Sequence, residues 1–390
     1  MNFDEIIDRR GTHSAKWDKM QALFGVNPDD GIAMWVADMD FRPPQSAQDA
    51  LRKMLDHGLY GYFGDDRDYL ASIQWWMKTR HGWDIDPAHV FTTHGLVNGT
   101  ALCVNTWSAP GDEVILFTPV YHAFARVIRA AGRIVLECPL VEVDGRMTMD
   151  FSAYDALVSE RTKMIVFCSP HNPGGQVWTE DEIRGVADFA RRHDLIVVSD
   201  EIHHDLVMPG YTHHVMAKVV PEIADRLVMM TAATKTFNLA GMHTGNVIIA
   251  DEALRKQFGQ TMMGLGMMPN SFGMIMVPAV YSPAGAEWLD ALIAYLDGNR
   301  QLFESEMAKI PGTRTIPLQS TYLEWVDFSG TGMETAEVIR RIQQDARIAP
   351  NHGVDFGKGG DSFMRFNIAT PRAVVAAAMT RLQAAFADLQ

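Results

Sequence analysis

Short apolar runs alternate with helical patterns through the middle of this 390-residue chain, from about residue 90 to 250. A helical pattern opens at Thr179, a suitable N-cap residue that is followed by three acidic side chains. Such alternation is typical of a mostly parallel sheet covered by helices, so we expect an α/β fold. The seven predicted strands of the sheet are Val90–Thr93, Glu113–Phe117, Arg133–Glu137, Lys163–Cys168, Leu195–Ser199, Arg226–Met230 and Gly245–Ala250.

The alternation of strands and helices stops after about residue 283. A long helical pattern (287–307) there precedes two separated strands, Tyr322–Val326 and Phe363–Asn367. A last helical pattern covers residues 373–389. Because the chain exceeds the usual size of one domain, we predict a large and a small domain. Residues 45–282 would form the large domain and 283–390 the smaller α+β domain, which residues 1–44 join.

Composition narrows the possible partners. A formal net charge of −14 argues against a nucleic-acid partner, and no apolar stretch is long enough for a bilayer. The charged N-terminus does not resemble a signal peptide. The three cysteines are odd in number and widely spaced, which predicts neither disulfides nor a metal knuckle. We therefore expect a cytoplasmic protein.

Two ionisable residues follow predicted strands. Asp200 ends the run that starts at Leu195, and Lys235 lies just beyond the run Leu227–Met230. Alone, a lysine is usually a surface charge and an aspartate here could simply cap a turn. Together they suit pyridoxal phosphate (PLP), whose aldehyde forms a Schiff base with a lysine and whose pyridine nitrogen needs an acid. Burial would favour the neutral amine that this chemistry requires.

Other strand ends supply further candidates for cofactor binding. Gly95 and Leu96 open a helix whose free amides could hold a phosphate, and Thr234 adds a hydroxyl. Tyr121 could stack on the pyridine ring, and Asn172 could reach the ring hydroxyl. Each alone also fits a plain turn or simple packing.

Arg365 lies in the late strand Phe363–Asn367, between aromatic residues. Its planar guanidinium could bind the carboxylate of a substrate, and a structural salt bridge is the competing interpretation.

Histidines and methionines cluster without forming a recognisable metal motif. The spacing of His203, His204, His213 and His214 matches no metal pattern, so we predict no metal site and at most a cofactor contact from His203. The Met-rich stretch 262–276 is better suited to adaptable packing or a subunit contact.

With these motifs the chain resembles the fold-type I PLP enzymes, the aspartate aminotransferase superfamily. More narrowly, it resembles their cystathionine β-lyase (carbon–sulfur lyase) branch, of MalY/PatB type. The similarity runs nearly end to end through the segments Arg9–Trp17, Met34–Phe41, Tyr60–Tyr62, Pro119–Tyr121, Pro170–Pro173, Ser199–His203, Lys235–Gly241 and Arg365–Asn367.

The resemblance implies a homodimer with active sites at the subunit and domain interface. It assigns the Schiff base to Lys235, the pyridine nitrogen to Asp200, ring stacking to Tyr121 and the ring hydroxyl to Asn172. The phosphate contacts it implies are Gly95, Leu96, Thr234 and, from the other subunit, Tyr62; His243 stands where many relatives have a phosphate-binding arginine. Arg365 would bind the substrate carboxylate, with Asn172 and the backbone near Ala37 and Asp38.

Three functions stay open at this point. A PLP-dependent β-lyase would release a thiol, pyruvate and ammonia from cystathionine- or cysteine-like amino acids. An aminotransferase would use the same residues to exchange an amino group with a 2-oxo acid. A regulatory protein that keeps PLP only as a ligand is the third, and the presence of Lys235, Asp200 and Arg365 together disfavours it.

Overall fold

A seven-stranded sheet is the centre of the computed structural model, which describes residues 1–389. Six strands run parallel, and the seventh is antiparallel to both of its neighbours. The α/β prediction is therefore confirmed. The strands are β1 (Val90–Thr93), β2 (Glu113–Thr118), β3 (Ile134–Pro139), β4 (Thr162–Cys168), β5 (Ile196–Asp200), β6 (Leu227–Thr231) and β7 (Gly245–Ile248), in the spatial order β1-β7-β6-β5-β4-β2-β3.

The central strands of this sheet are covered on both faces, which is why most of them are largely apolar runs. Every residue of β2 and of β6 is buried. Successive side chains point to opposite faces, so that Ile115 and Phe117 join one hydrophobic core while Val114 and Leu116 join a second.

Helices connect the strands and carry the local signals that the sequence predicted. Thr179 caps the helix Glu180–Arg192, and Glu182 completes a reciprocal capping box. The other helices are Ala15–Asp18, Met20–Phe24, Gln45–His57, Arg67–His81, Leu96–Trp107, His122–Ala130, Phe151–Asp155, Met216–Val219, Ala233–Thr236, Glu252–Gly264, Ser271–Val280, Pro283–Met307, Thr335–Arg340 and Arg372–Ala385. None of the helices within residues 1–389 has the length and apolarity to cross a bilayer.

The C-terminal part contains a four-stranded antiparallel sheet. The N-terminal segment adds a short strand, Ile32–Ala33, that pairs in parallel with Ile348–Ala349. The domain bounds remain a prediction. The strands of the sheet are Arg314–Thr315, Leu323–Asp327, Asn351–His352 and Phe363–Asn367, and a separate hairpin joins Val141–Val143 to Arg146–Thr148.

The parallel strands place the candidate residues at one edge of the large sheet. Tyr121 follows β2, Asn172 follows β4, Asp200 ends β5 and Lys235 follows β6. Since carboxyl ends of parallel strands meet at the same edge, residues far apart in sequence converge there.

One buried carboxyl group of the smaller sheet has no partner. Glu324 is fully buried, and neither carboxylate oxygen has a hydrogen-bond partner among residues 1–389. Burial, reinforced by the nearby charge of Glu304, raises the pKa of Glu324 well above its usual value. The folded protein therefore holds a proton on Glu324 that the unfolded chain releases as the pH rises above its ordinary pKa, so the wild type loses stability over that range.

We expect Glu324→Met to stabilise the protein by roughly 1–3 kcal/mol at pH 8, because the substitution removes an unsatisfied buried polar group. The part of the gain that comes from deprotonation of the unfolded chain should disappear towards pH 4, where the carboxyl group is mostly protonated in both states. Urea unfolding at several pH values, followed by circular dichroism, measures it. Glu287→Met, at an exposed helix position, is the control and should show no such pH-dependent gain. An equal gain at pH 4 and pH 8 would contradict the prediction.

Candidate active site

A cavity of about 530 Å³ lies at the carboxyl edge of the large sheet, a volume suited to a cofactor and a small substrate. It brings together eleven of the thirteen residues that the sequence predicted for the site. They are Ala37, Gly95, Leu96, Tyr121, Asn172, Asp200, His203, Thr234, Lys235, His243 and Arg365.

Lys235 lies on the wall of this cavity, in the helical turn Ala233–Thr236 that follows β6. Its Nζ donates a hydrogen bond of 2.6 Å to the carbonyl oxygen of Ala37, in the N-terminal segment. Burial lowers the pKa of Lys235 to about 8, against the opposing attraction of Asp38. A neutral, nucleophilic amine is thus accessible near neutral pH, as Schiff-base chemistry requires.

Asp200 is buried at the end of β5 and has little to compensate its charge. Its Oδ1 accepts a hydrogen bond of 3.1 Å from the backbone amide of Ile202. No ion pair formed within residues 1–389 includes it. Burial is the main reason that its pKa is raised to about 7. A cationic N–H placed opposite would pair with this carboxylate and lower its pKa again.

Arg365 is buried in the strand Phe363–Asn367, where neutral groups hold its guanidinium. Nη1 donates to Asn172 Oδ1 at 2.8 Å, and Nη2 donates to Asn351 Oδ1 at 2.5 Å and to the carbonyl oxygen of Trp35 at 2.8 Å. Its Nε has no acceptor within the part of the chain that the structure describes. Burial lowers the pKa of Arg365 to about 10.

The structure thus gives Arg365 no carboxylate partner among residues 1–389, which removes the support for a structural salt bridge. A buried cation at a cavity wall, with donor capacity left over, suits an anionic group of a ligand.

Another part of the cavity wall has the features of an anion site. Gly95 has a left-handed backbone (φ of 84°) and is the N-cap of the helix Leu96–Trp107, so the first-turn amides of that helix have no intrahelical acceptors. Thr234 is buried beside Lys235, and His243 reaches the same cavity from an exposed position. A phosphate group fits such a helix N-terminus.

The rings of Tyr121 and His203 also line the cavity. Tyr121 precedes the helix His122–Ala130, and burial raises the pKa of its phenol, which keeps the ring neutral. His203 is buried with no partner for Nδ1 within residues 1–389, and burial lowers its pKa well below the usual value, so its imidazole is neutral.

Two predicted residues do not line the cavity. Tyr62 is 95% exposed and lines a different pocket, so this chain does not bring it to the site, and its contact from a second subunit stays a prediction. Asp38 turns its carboxylate away to Arg9 at 2.9 Å, and its carbonyl oxygen accepts from Asn367 Nδ2. Asp38 therefore shapes the backbone next to Ala37 and does not face the cavity with its side chain.

Sequence reasoning missed the two residues that hold Arg365 from behind, Asn351 and Trp35. Asn351 follows no strand end and belongs to no motif, so nothing in its neighbourhood indicated a role. Trp35 contributes a backbone carbonyl, which any residue could supply, although it lies in the segment Met34–Phe41 on which the family resemblance partly rests.

The fit to PLP is good at each end of this cavity. The N-terminus of the helix Leu96–Trp107 would hold the phosphate, Asp200 the pyridine nitrogen, and Lys235 the aldehyde. The uncompensated carboxylate of Asp200 is the observation that selects a ligand with a cationic N–H. Fold and site together define a fold-type I PLP enzyme.

Comparisons with known proteins place the chain in the same class of PLP enzymes. The family model "Aminotransferase class I and II" matches residues 30–382, and the chain belongs to this family. Cystathionine β-lyase PatB of Bacillus subtilis is 36% identical over 99% of this chain and 100% of its own. PLP-containing cystalysin of Treponema denticola has a TM-score of 0.94 at 35% identity, covering 100% of this chain and 99% of its own. The PLP-bound C–S lyase of Staphylococcus hominis has a TM-score of 0.90 at 31% identity, covering 99% and 98%.

Asp200→Asn should weaken PLP binding roughly tenfold to a hundredfold, because a charge-assisted hydrogen bond worth about 1.5–3 kcal/mol is lost. Fluorescence titration of the apoprotein with PLP measures the change. The control is Asp181→Asn, the same substitution at an exposed helix position, which should bind PLP like the wild type. Equal affinities for all three proteins would show that Asp200 does not contact the cofactor.

Proposed function

We propose that this protein is a PLP-dependent carbon–sulfur β-lyase that acts on cystathionine- or cysteine-like amino acids. The observation that carries the proposal is the placement of Lys235, Asp200 and Arg365 around one cavity, in a chain similar along its whole length to C–S lyases. When bound, PLP supplies an aldehyde that condenses with amines and a ring that takes up electron density.

Substrate binding rests on Arg365, whose fork would grip the α-carboxylate. Its contacts with Asn172 and Asn351 fix the guanidinium before the substrate arrives, so little conformational freedom is lost on binding. The carbonyl oxygen of Ala37 holds Lys235 Nζ at the same wall, and the substrate Cα would therefore lie between the lysine amine and the guanidinium of Arg365.

Proton transfer falls to Lys235. Its Nζ, neutral near pH 8, removes the proton from Cα as general base. The bond between Cβ and sulfur then breaks, and the sulfur leaves with the electron pair as a thiolate that takes up a proton. Water completes the reaction, which releases pyruvate and ammonia. Only substrates with a leaving group at Cβ follow this course.

An aminotransferase is the alternative, because the same lysine, aspartate and arginine serve both reactions. The family model carries that description, and it covers most of the chain. The two outcomes differ in one requirement: an aminotransferase needs a 2-oxo acid to complete its cycle, whereas a lyase turns over without one.

The holoenzyme should release pyruvate and thiol continuously from cystathionine with no 2-oxo acid present. A lactate dehydrogenase-coupled assay and a thiol reagent follow the two products. Lys235→Ala should lower the rate roughly 100- to 10,000-fold, the usual contribution of a general base. Lys256→Ala, at an exposed helix position, is the control and should keep full activity. Turnover that depends on an added 2-oxo acid would replace the lyase by an aminotransferase.

We also propose that the protein is a homodimer. Residues 59–62 and residues 263–272 expose large apolar side chains next to each other. The rings of Tyr60 and Phe272 stack with their centroids 6.1 Å apart. This surface continues to the phosphate end of the cavity, because His94 bonds to the carbonyl oxygen of Met268. A contiguous apolar patch of this kind is typical of an interface. Its exposed members are Leu59, Tyr60, Tyr62, Met263, Leu265, Met268 and Phe272.

Light scattering after gel filtration should give twice the 43.5 kDa of one chain. Tyr62→Phe should keep that mass but bind PLP more weakly, because the hydroxyl that reaches the partner's phosphate is lost. Tyr211→Phe, on an exposed residue elsewhere, should change neither property. A monomeric holoenzyme with full PLP affinity would refute both the dimer and the role of Tyr62.

A further inference from the structure

A second group of ionisable side chains lies behind the active site, on the far side of the turn that carries Lys235. His204 and Asp205 follow Asp200 closely in sequence, and the end of the helix Arg67–His81 brings His81 beside them. The two imidazole rings are 4.7 Å apart. One nitrogen of each ring and one oxygen of Asp205 lie within 4.8 Å of one another.

His204 presents an unpaired nitrogen to this group. Its Nδ1 lies 2.5 Å from the carbonyl oxygen of Glu201, a contact that requires the proton on Nδ1. Nε2 is buried, makes no hydrogen bond within residues 1–389 and lies 3.3 Å from Asp205 Oδ2. A cation placed between this nitrogen and this oxygen would be attracted to both.

Hydrogen-bond donors hold the carboxylate of Asp205 in an orientation in which it faces both histidines. Trp76 Nε1 donates to Oδ1 at 3.0 Å, and Thr236 Oγ1 donates to Oδ2 at 2.8 Å. His81 Nε2 lies 2.8 Å from Oδ1. Carboxylate and imidazole ligands of metal ions are usually held by outer hydrogen bonds of this kind, as His204 is by the carbonyl of Glu201.

The group meets solvent mainly through His81, whose side chain is 10% exposed, whereas the side chains of His204 and Asp205 are almost fully buried. A cavity of about 600 Å³ is lined by His81, His204 and Asp205 together with His213 and His214. An ion can enter there, and water can occupy a remaining coordination position.

We propose that His81 Nε2, His204 Nε2 and the Asp205 carboxylate bind one zinc ion, with water from this cavity as the fourth ligand. Two imidazoles, one carboxylate and an open position are a ligand set that zinc prefers. The site does not overlap the PLP cavity, and Asp205 links the two through the hydroxyl of Thr236, the neighbour of Lys235.

Calorimetric titration of the chelator-treated, dialysed holoenzyme with zinc chloride tests the proposal. We expect one zinc per chain in the wild type and in His214→Gln, which lines the same cavity outside the three ligands. The double variant His81→Gln/His204→Gln should bind at least roughly tenfold more weakly, since losing even an outer partner costs that much. Absence of zinc binding to the wild type, unchanged affinity in the double variant, or loss in the control would each overturn the proposal.

X-ray absorption at the zinc edge of the loaded wild type gives a second test that requires no variant. Nitrogen and oxygen ligands, with the scattering pattern of two imidazole rings, would support the site. Sulfur ligation would place the ion on a cysteine and overturn it. If the double variant fails to fold, as judged by circular dichroism, this spectrum decides.

Discussion

Three charged side chains enclosed at one edge of a sheet, without matching counter-ions, are the constraint on which the rest of this structure depends. Burial brings the pKa of Lys235 down to about 8 and that of Asp200 up to about 7. Arg365 is held by amide and carbonyl oxygens and by the face of the Phe356 ring, with no carboxylate from residues 1–389. Such burial costs folding free energy, which a cationic ring nitrogen opposite Asp200 and a substrate carboxylate beside Arg365 would recover.

The sheet could be predicted well because each of its strands corresponds to a local pattern in the sequence. A strand that is buried on both faces is a short apolar run, so the observed and predicted bounds differ by only one or two residues, as for Leu227–Thr231 against Arg226–Met230. The strand-end rule then predicts that Tyr121, Asn172 and Asp200 lie together. The direction of β7 had no comparable signal, because strand direction is set by its neighbours in space.

The parts that the sequence did not predict depend on distant contacts. Asn351 acquires its role only because its strand pairs beside Arg365. In the sequence, Glu324 resembles any acidic residue of a strand. Within the described chain, its carboxylate lacks a hydrogen-bond partner only because of the residues that pack around it in the fold. His81 is the last residue of the helix Arg67–His81, and only the packing of that helix in the fold brings its side chain to Asp205. In each case the chemistry depends on a neighbour far away in the chain.

The segment around Ala37 has a consequence for how the protein is made. It holds Lys235 through a carbonyl oxygen, and it is itself fastened to the last strand, since the backbone amide of Asn367 donates to Met34 and its side chain to Val36. A nascent chain still on the ribosome therefore contains the lysine long before it can contain the finished pocket. Capture of the vitamin-derived cofactor in its mature environment must wait until the strand that ends at Asn367 has also been made.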